Sequence, residues 1–303
     1  MRTIPLGKSG LEVPAVAVGC MRITGLSVKE AERFVATSLE LGMNFFDHAD
    51  IYGGGECEKI FGQAAKSFSR EKLLLQSKCG IRPNQYDFSK GHILSAVDGI
   101  LSRLQTDYLD VLLLHRPDAL VEPEEVAEAF DALQTAGKVR YFGVSNQNPM
   151  QIQLLQQYVK QSLVANQLQF SLAHASMVTQ GTHVNMLDDA AVNRDGGVLD
   201  FCRLHGITIQ PWSPFQHGFF KGPFIGDKRF KALNAKLDEL ALAYGTDSTA
   251  IALAWILRHP ARMQPIVGTM DLQRLRACAK AAEVDFSRED WYALYLAAGH
   301  TLP

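Results

Sequence analysis

The sequence predicts an α/β fold, a closed (β/α)8 TIM barrel with a short N-terminal hairpin. Three observations predict it. Eight short apolar, β-branched runs recur along 303 residues, helical patterns lie between them, and no Pro/Ser-rich linker or low-complexity break divides the chain. At ~150 residues per domain the length alone would allow two units, but α/β barrels exceed that size as one. One barrel domain over residues 1–303 is therefore expected.

The elements follow in order. Thr3 to Leu6 and Glu12 to Pro14 flank the turn-like Gly7 to Gly10, a short hairpin expected over the barrel floor. The apolar runs begin near residues 15 (AVAVGC), 44 (NFFD), 72 (KLLLQSK), 109 (LDVLLLH), 139 (VRYFGVSN), 163 (LVANQ), 207 (ITIQPWS) and 264 (QPIVG). Continuous apolarity, rather than period-two alternation, marks strands covered on both faces by helices. The first helix carries its own punctuation: Ser27 and Glu30 form an S-x-x-E capping box, Phe34, Val35, Ser38 and Leu39 give the stripe, and Gly42 closes it. From Pro123 to Gly137, Val126, Ala129, Phe130 and Leu133 keep the i, i+3, i+4, i+7 rule. The rival, an open doubly wound sheet, normally carries G-x-G-x-x-G after its first strand, where this chain has GCMRITG. Two long interruptions, 171–197 and 215–227, are expected to be functional or mobile.

Composition narrows the function. Thirty Lys+Arg against 32 Asp+Glu give a net charge of −2, with no long like-charged run, so neither nucleic acid nor an anionic membrane is the expected partner. The cysteines, Cys20, Cys57, Cys79, Cys202 and Cys278, are odd in number and far apart, with no metal-like spacing. Reduced thiols and a soluble cytoplasmic protein are expected. No signal-peptide pattern is present, and the longest apolar stretches fall far short of a membrane span.

In a barrel of this type active sites gather at the C-terminal strand ends. Strand two ends in Asp47, with Tyr52 five residues on beside Gly53-Gly54-Gly55; strand three ends in Lys78, strand four in His115, strand five in Ser145-Asn146. Singly, each has an ordinary explanation: a helix cap, a surface charge, a core histidine. Jointly, an acid, a phenol, an ammonium and an imidazole at one mouth suggest chemistry. A phenol with a pKa near ~10 needs a nearby cation to become a useful acid, and a buried lysine needs a carboxylate to stay charged. The chain Asp47, Lys78, Tyr52 meets both needs. Such a phenol can protonate a carbonyl oxygen as it becomes an alkoxide, with His115 orienting it.

DHADIYGGGE, LQSKCG, LLLHRPD, GKVRYFGVSN, the Asn166-Gln167 pair, PWSPF and PIVGT followed by Arg274 resemble, in order and spacing, the aldo-keto reductases. The resemblance spans nearly the whole chain. It implies NAD(P)H-dependent reduction of aldehydes or ketones, with Tyr52 as general acid, Lys78 and Asp47 tuning it, and His115 positioning the carbonyl. It also implies a cofactor groove. Ser145, Asn146 and Gln167 would hold the nicotinamide carboxamide, Trp212 would stack on its ring, and Ser213, Phe215 and Gly218 would meet the pyrophosphate. Gly268, Thr269 and Arg274 would hold the adenosine end, and an arginine opening a helix favours NADPH, with NADH the alternative. Asp271 and Cys278 depart from the family pattern; Asp271 is expected to act as a helix cap instead.

Other readings fit less well. A metal site at Asp47, His48 and Asp50 lacks H-x-H or H-E-x-x-H, and neighbours on a strand face opposite ways. Gly53 to Gly55 is no P-loop, since G-K-[ST] does not follow; it lets the backbone turn sharply beside Tyr52. A nucleotide-sensing, channel-subunit-like protein would keep the cofactor groove but turn over little. A lyase with a Schiff base on Lys78 is a third idea. In the second long loop Phe215, Phe219, Phe220 and Phe224 could plug the barrel rim or line a substrate pocket, while Asp188, Asp189, Arg194 and Asp195 make the first loop polar. A monomer acting on a small carbonyl compound is the default expectation, with a homo-oligomer open.

Overall fold

The computed structural model describes residues 1–303. The chain opens with an antiparallel hairpin, β1 (Thr3–Pro5) and β2 (Glu12–Pro14), and then enters the barrel with β3 (Ala17–Gly19) and β4 (Phe45–Asp47). β5 (Leu74–Cys79) continues it, β6 (Ile81–Arg82) and β7 (Gln85–Tyr86) form a small side hairpin, and β8 (Leu109–Leu114), β9 (Val139–Ser145), β10 (Leu163–Gln169), β11 (Thr208–Trp212) and β12 (Ile266–Val267) complete it. The eight barrel strands pair in parallel in the order β11-β10-β9-β8-β5-β4-β3-β12. Closure falls to the residues just before β12: the Gln264 amide donates to the Ile209 carbonyl at 3.0 Å, and the Ala17 amide to that of Pro265 at 2.9 Å. The eight apolar runs read from the sequence are the eight barrel strands, in their expected order.

Helices cover the outside: α1 (Val28–Glu40), α2 (Glu56–Ala65), α3 (Lys90–Leu104), α4 (Pro123–Thr135), α5 (Pro149–Tyr158), α6 (Ser176–Thr182), α7 (Val198–His205), α8 (Lys231–Ala243), α9 (Ser248–Arg258), α10 (Leu272–Lys280) and α11 (Arg288–Ala297). The capping box at Ser27 and Glu30 forms in both directions, and Gly42 takes a φ of +72° just beyond α1. In α4, Val126, Ala129, Phe130 and Leu133 are buried, with Pro123 in the first turn. No single helix is long and apolar enough to cross a membrane.

The hairpin lies under the barrel floor, as expected. The Gly7 amide donates to Thr208 Oγ1 at the start of β11 (2.8 Å), and Leu6 and Val13 are fully buried. The first long interruption is folded: it carries α6 and a 3-10 turn at Asp189–Ala191. Residues from the chain's last segment tie it down: His183 pairs with Thr301 at 3.0 Å, Tyr295 donates to Thr179 at 3.1 Å, and His300 meets the Leu172 carbonyl at 2.7 Å. α11 is in turn clamped to α9, because the Trp255 and Trp291 indoles stack at 4.8 Å and each donates to the other's carbonyl. In the second interruption Phe224 is fully buried and Phe215 half-buried, whereas Phe219 and Phe220 are exposed.

Candidate active site

Strand alternation decides which side chains enter the barrel. On β5, Gln76 and Lys78 point inward, while Ser77 faces outward to the Glu58 carboxylate on α2 (2.7 Å). Asp47 at the end of β4 faces the same interior. The Lys78 ammonium has three acceptors, Asp47 Oδ2 at 2.8 Å, the His48 carbonyl at 2.6 Å and the Tyr52 hydroxyl at 3.2 Å, and it is fully buried. Burial works against its charge, but Asp47 and Tyr52 outweigh that and hold the ammonium above the ordinary lysine value.

Tyr52 reaches this ammonium because Gly53, Gly54 and Gly55 all take positive φ, at 57°, 64° and 92°, and turn the chain sharply into α2. Its phenol behaves differently from the sequence expectation of net acidification. Burial raises it, Lys78 pulls it down, and Asp47 pushes it up again, so the outcome lies above the ordinary tyrosine value. The main physical reason is burial of the phenol, which the Lys78 ammonium does not overcome because the Asp47 carboxylate offsets part of its field. Tyr52 is a protonated donor at neutral pH.

The imidazole of His115 stands edge-on to the Tyr52 ring, with centroids 6.0 Å apart. Burial, then Lys78 and Arg116, hold it well below the ordinary histidine value, so it is neutral. Nδ1 is enclosed without a partner, which is tolerable as a lone pair and costly as an orphaned N–H. The proton therefore belongs on Nε2. His48, by contrast, packs on Phe61 with centroids 4.5 Å apart on the outer face of β4 and is pushed down to about 3 by burial. It lies on the opposite face from Asp47, and no group of three or more His, Cys, Asp or Glu side chains is arranged to hold a metal.

The remaining candidate residues fall into two groups. Asn146 sits at a φ of +57°, accepts from Trp212 Nε1 at 3.1 Å and donates to Ser145 Oγ at 2.6 Å, while Ser145 donates to the Gln167 carbonyl at 3.1 Å. Gln167 donates to Asp47 Oδ1 at 3.0 Å, which leaves its Oε1 without a protein partner. Ser213 follows at a φ of +53°, a conformation sparsely used by non-glycine residues and found at functional sites. Phe215 is half-buried, and Gly218 lies beneath the stem of Lys221. In the second, Gly268 and Thr269 follow β12, and Arg274 is exposed on the first turn of α10. Asp271 is the helix cap it was expected to be, accepting from the Arg274 amide at 2.8 Å. Cys278 is buried in the core.

Four residues to which the sequence assigned no role join the site. Gln76 donates to Asp47 Oδ1 at 2.6 Å and to Gln210 at 3.0 Å, Gln210 donates to Gln264 at 2.8 Å, and Gln264 donates to the Pro14 carbonyl at 2.8 Å. A ladder of buried amides thus runs from the barrel floor to the Asp47 carboxylate. Gln76 and Gln210 lie two residues before Lys78 and Trp212, so strand periodicity was the signal that could have found them. Arg22 Nη1 donates to the Gly268 carbonyl at 3.0 Å, placing a cation beside Gly268.

Comparison with known proteins agrees with this architecture. The model of the Aldo/keto reductase family matches residues 15–295. The chain is 36% identical to "Uncharacterized oxidoreductase YcsN" of Bacillus subtilis, covering all of both chains. It is 34% identical to "6-dehydroglucose reductase" of Agrobacterium fabrum, over 95% of each. Among solved structures it superposes on the thermostable aldo-keto reductase Tm1743, crystallised with the inhibitor epalrestat, at a TM-score of 0.80 and 28% identity, over 98% of this chain and 100% of that one. With its closed barrel, its motifs in register and relatives along its whole length, the chain belongs to the aldo/keto reductase family.

Proposed function

We propose that this protein reduces an aldehyde or ketone to an alcohol with NADPH, using Tyr52 as the proton donor. The observation that carries the reading is the single Lys78 ammonium within hydrogen-bond distance of both Asp47 and Tyr52 at the open end of the barrel. The two groups of residues fit a nicotinamide dinucleotide: Gln167 Oε1 is free to accept from a carboxamide, the half-buried Trp212 offers a ring face, and Arg22 and Arg274 offer cations in the second group. When bound, the reduced cofactor supplies the hydride that attacks the carbonyl carbon. His115 Nε2–H holds the carbonyl oxygen, and Tyr52 gives it a proton as negative charge develops there. Lys78 stays protonated and stabilises the phenolate left behind, while Asp47, held by Gln76 and Gln167, keeps Lys78 charged. The placement of Arg274 on the first turn of α10 supports NADPH over NADH.

Replacing Tyr52 with Phe is expected to lower turnover by about 10² to 10⁴ with cofactor affinity largely kept, as loss of a general acid implies. NAD(P)H oxidation over a panel of aldehydes and ketones, beside cofactor titration by tryptophan fluorescence, checks both. Tight binding of cofactor with no turnover across the panel would instead support a nucleotide sensor. A Schiff base at Lys78 needs a neutral amine, and the ammonium here is held charged by its acceptors. The reading is completed by a cytoplasmic setting, supported by five separate buried thiols, and by one functional domain over residues 1–303 acting as a monomer on a small molecule.

A further inference from the structure

A cavity of about 250 Å³ is walled by Arg116 after β8, Asn146 after β9, Leu168 and Gln169 of β10, Trp212 of β11, and His174 and Phe219 from the two long loops. Arg116 follows His115 directly in the chain. Three arginines in this protein are half-buried, Arg70, Arg103 and Arg116. Arg70 is paired with Asp110 at 2.8 Å and Arg103 with Glu58 at 2.8 Å. Arg116 has no carboxylate within ion-pair distance; its guanidinium stands over the rings of Trp212 at 5.7 Å and Phe219 at 5.8 Å. Aromatic faces offset only part of the cost of removing a guanidinium from water.

The other polar groups of the wall do not supply the missing anion. Asp195 accepts from Gln180 and from the amides of Gly197 and Val198 (3.0 and 3.3 Å), so its charge caps the start of α7. Burial holds His174 below the ordinary histidine value, so it adds no charge at neutral pH. Gln169 Nε2 is enclosed without a partner on the same wall, a second donor with nothing to donate to.

We propose that the anion is part of the substrate: the cavity takes the carboxylate of an aldehyde or ketone whose carbonyl lies at Tyr52 and His115, and Arg116 is the specificity-determining residue. A guanidinium fork matches the planar, two-oxygen geometry of a carboxylate, and Gln169 adds a further bond to it. The flat wall of Phe219 suits an unsaturated or aromatic spacer between the two groups. This rests on the reductase reading, and its test is arranged so that either can fail alone.

Wild type, Arg116→Gln and Arg116→Lys are compared on 4-carboxybenzaldehyde and benzaldehyde. The ratio of kcat/KM for the two is expected to exceed about 10 in the wild type, to fall toward one in Arg116→Gln, chiefly through KM, and to be partly restored in Arg116→Lys, as loss of a charged hydrogen bond implies. A wild-type ratio near one, or a ratio unchanged in Arg116→Gln, overturns the proposal. Calorimetry of the NADP⁺-loaded proteins with 4-(hydroxymethyl)benzoate and benzyl alcohol decides the anion site without turnover. Preferential binding of the benzoate that vanishes in Arg116→Gln supports it, and equal binding overturns it. If neither aldehyde is reduced while the benzoate still binds through Arg116, the reductase reading fails and the anion site stands.

Discussion

Lys78 meets two opposing demands. A buried ammonium loses several kcal/mol of hydration, and it recovers stability only where its protons are all received. Asp47, the His48 carbonyl and Tyr52 receive them here. Removing the ammonium alone strands a carboxylate that is 3% exposed, so Lys78→Met is expected to cost about 3–5 kcal/mol in chemical denaturation. Adding Asp47→Asn should recover most of that stability and none of the turnover. If the double variant regained activity, Lys78 would be a structural cation only. Asp47, Tyr52, Lys78 and His115 were legible as candidates because each is a polar group ending or following an apolar run. The upward shift of the Tyr52 phenol was not, since it depends on how deeply the ring is buried and how much of the Lys78 field Asp47 absorbs.

Among the elements, those with local determinants were readable. The α1 capping box and the α4 apolar stripe act within a turn or two of chain, so the pattern is written where the helix forms. The hairpin was readable as a turn, but its tight seat depends on a distant strand. Gly7 has a φ of +55°, and a Cβ there would lie 2.5 Å from the Val164 carbonyl oxygen at the start of β10. Gly7→Ala is therefore expected to destabilise by about 2 kcal/mol or more and to lower Tm by several degrees in a thermal melt. An unchanged Tm would mean that the hairpin is not packed on the barrel floor. α8, α11 and the fold of 171–197 escaped the sequence reading because their partners lie far along the chain, as His183 with Thr301 and Trp255 with Trp291 show.

Across the whole molecule, stability is tied to a carboxyl that the proposed chemistry does not use. Burial and then Glu58 raise Asp50 from the ordinary 3.8 to about 7, against the pull of Arg103 and Lys78. The folded state thus holds this proton more tightly than the unfolded chain. The resulting stabilisation is complete below the ordinary value and is lost as pH rises through about 7. Asp50→Asn, which cannot titrate, is expected to gain a few degrees of Tm on the wild type between pH 5 and pH 8. A Tm difference that stays constant over that range would show that Asp50 is already ionised in the fold.

The linear chain by itself determined the eight alternating units, the hairpin, the caps and the polar residue at each strand end, because burial periodicity and turn chemistry act over a few residues. Only the tertiary structure decided which of those residues meet. Barrel closure through Gln264 and Ile209, the amide ladder beneath Asp47, and an arginine left without a carboxylate are relations between strands and loops far apart in sequence, and short-range patterns carry no information about them.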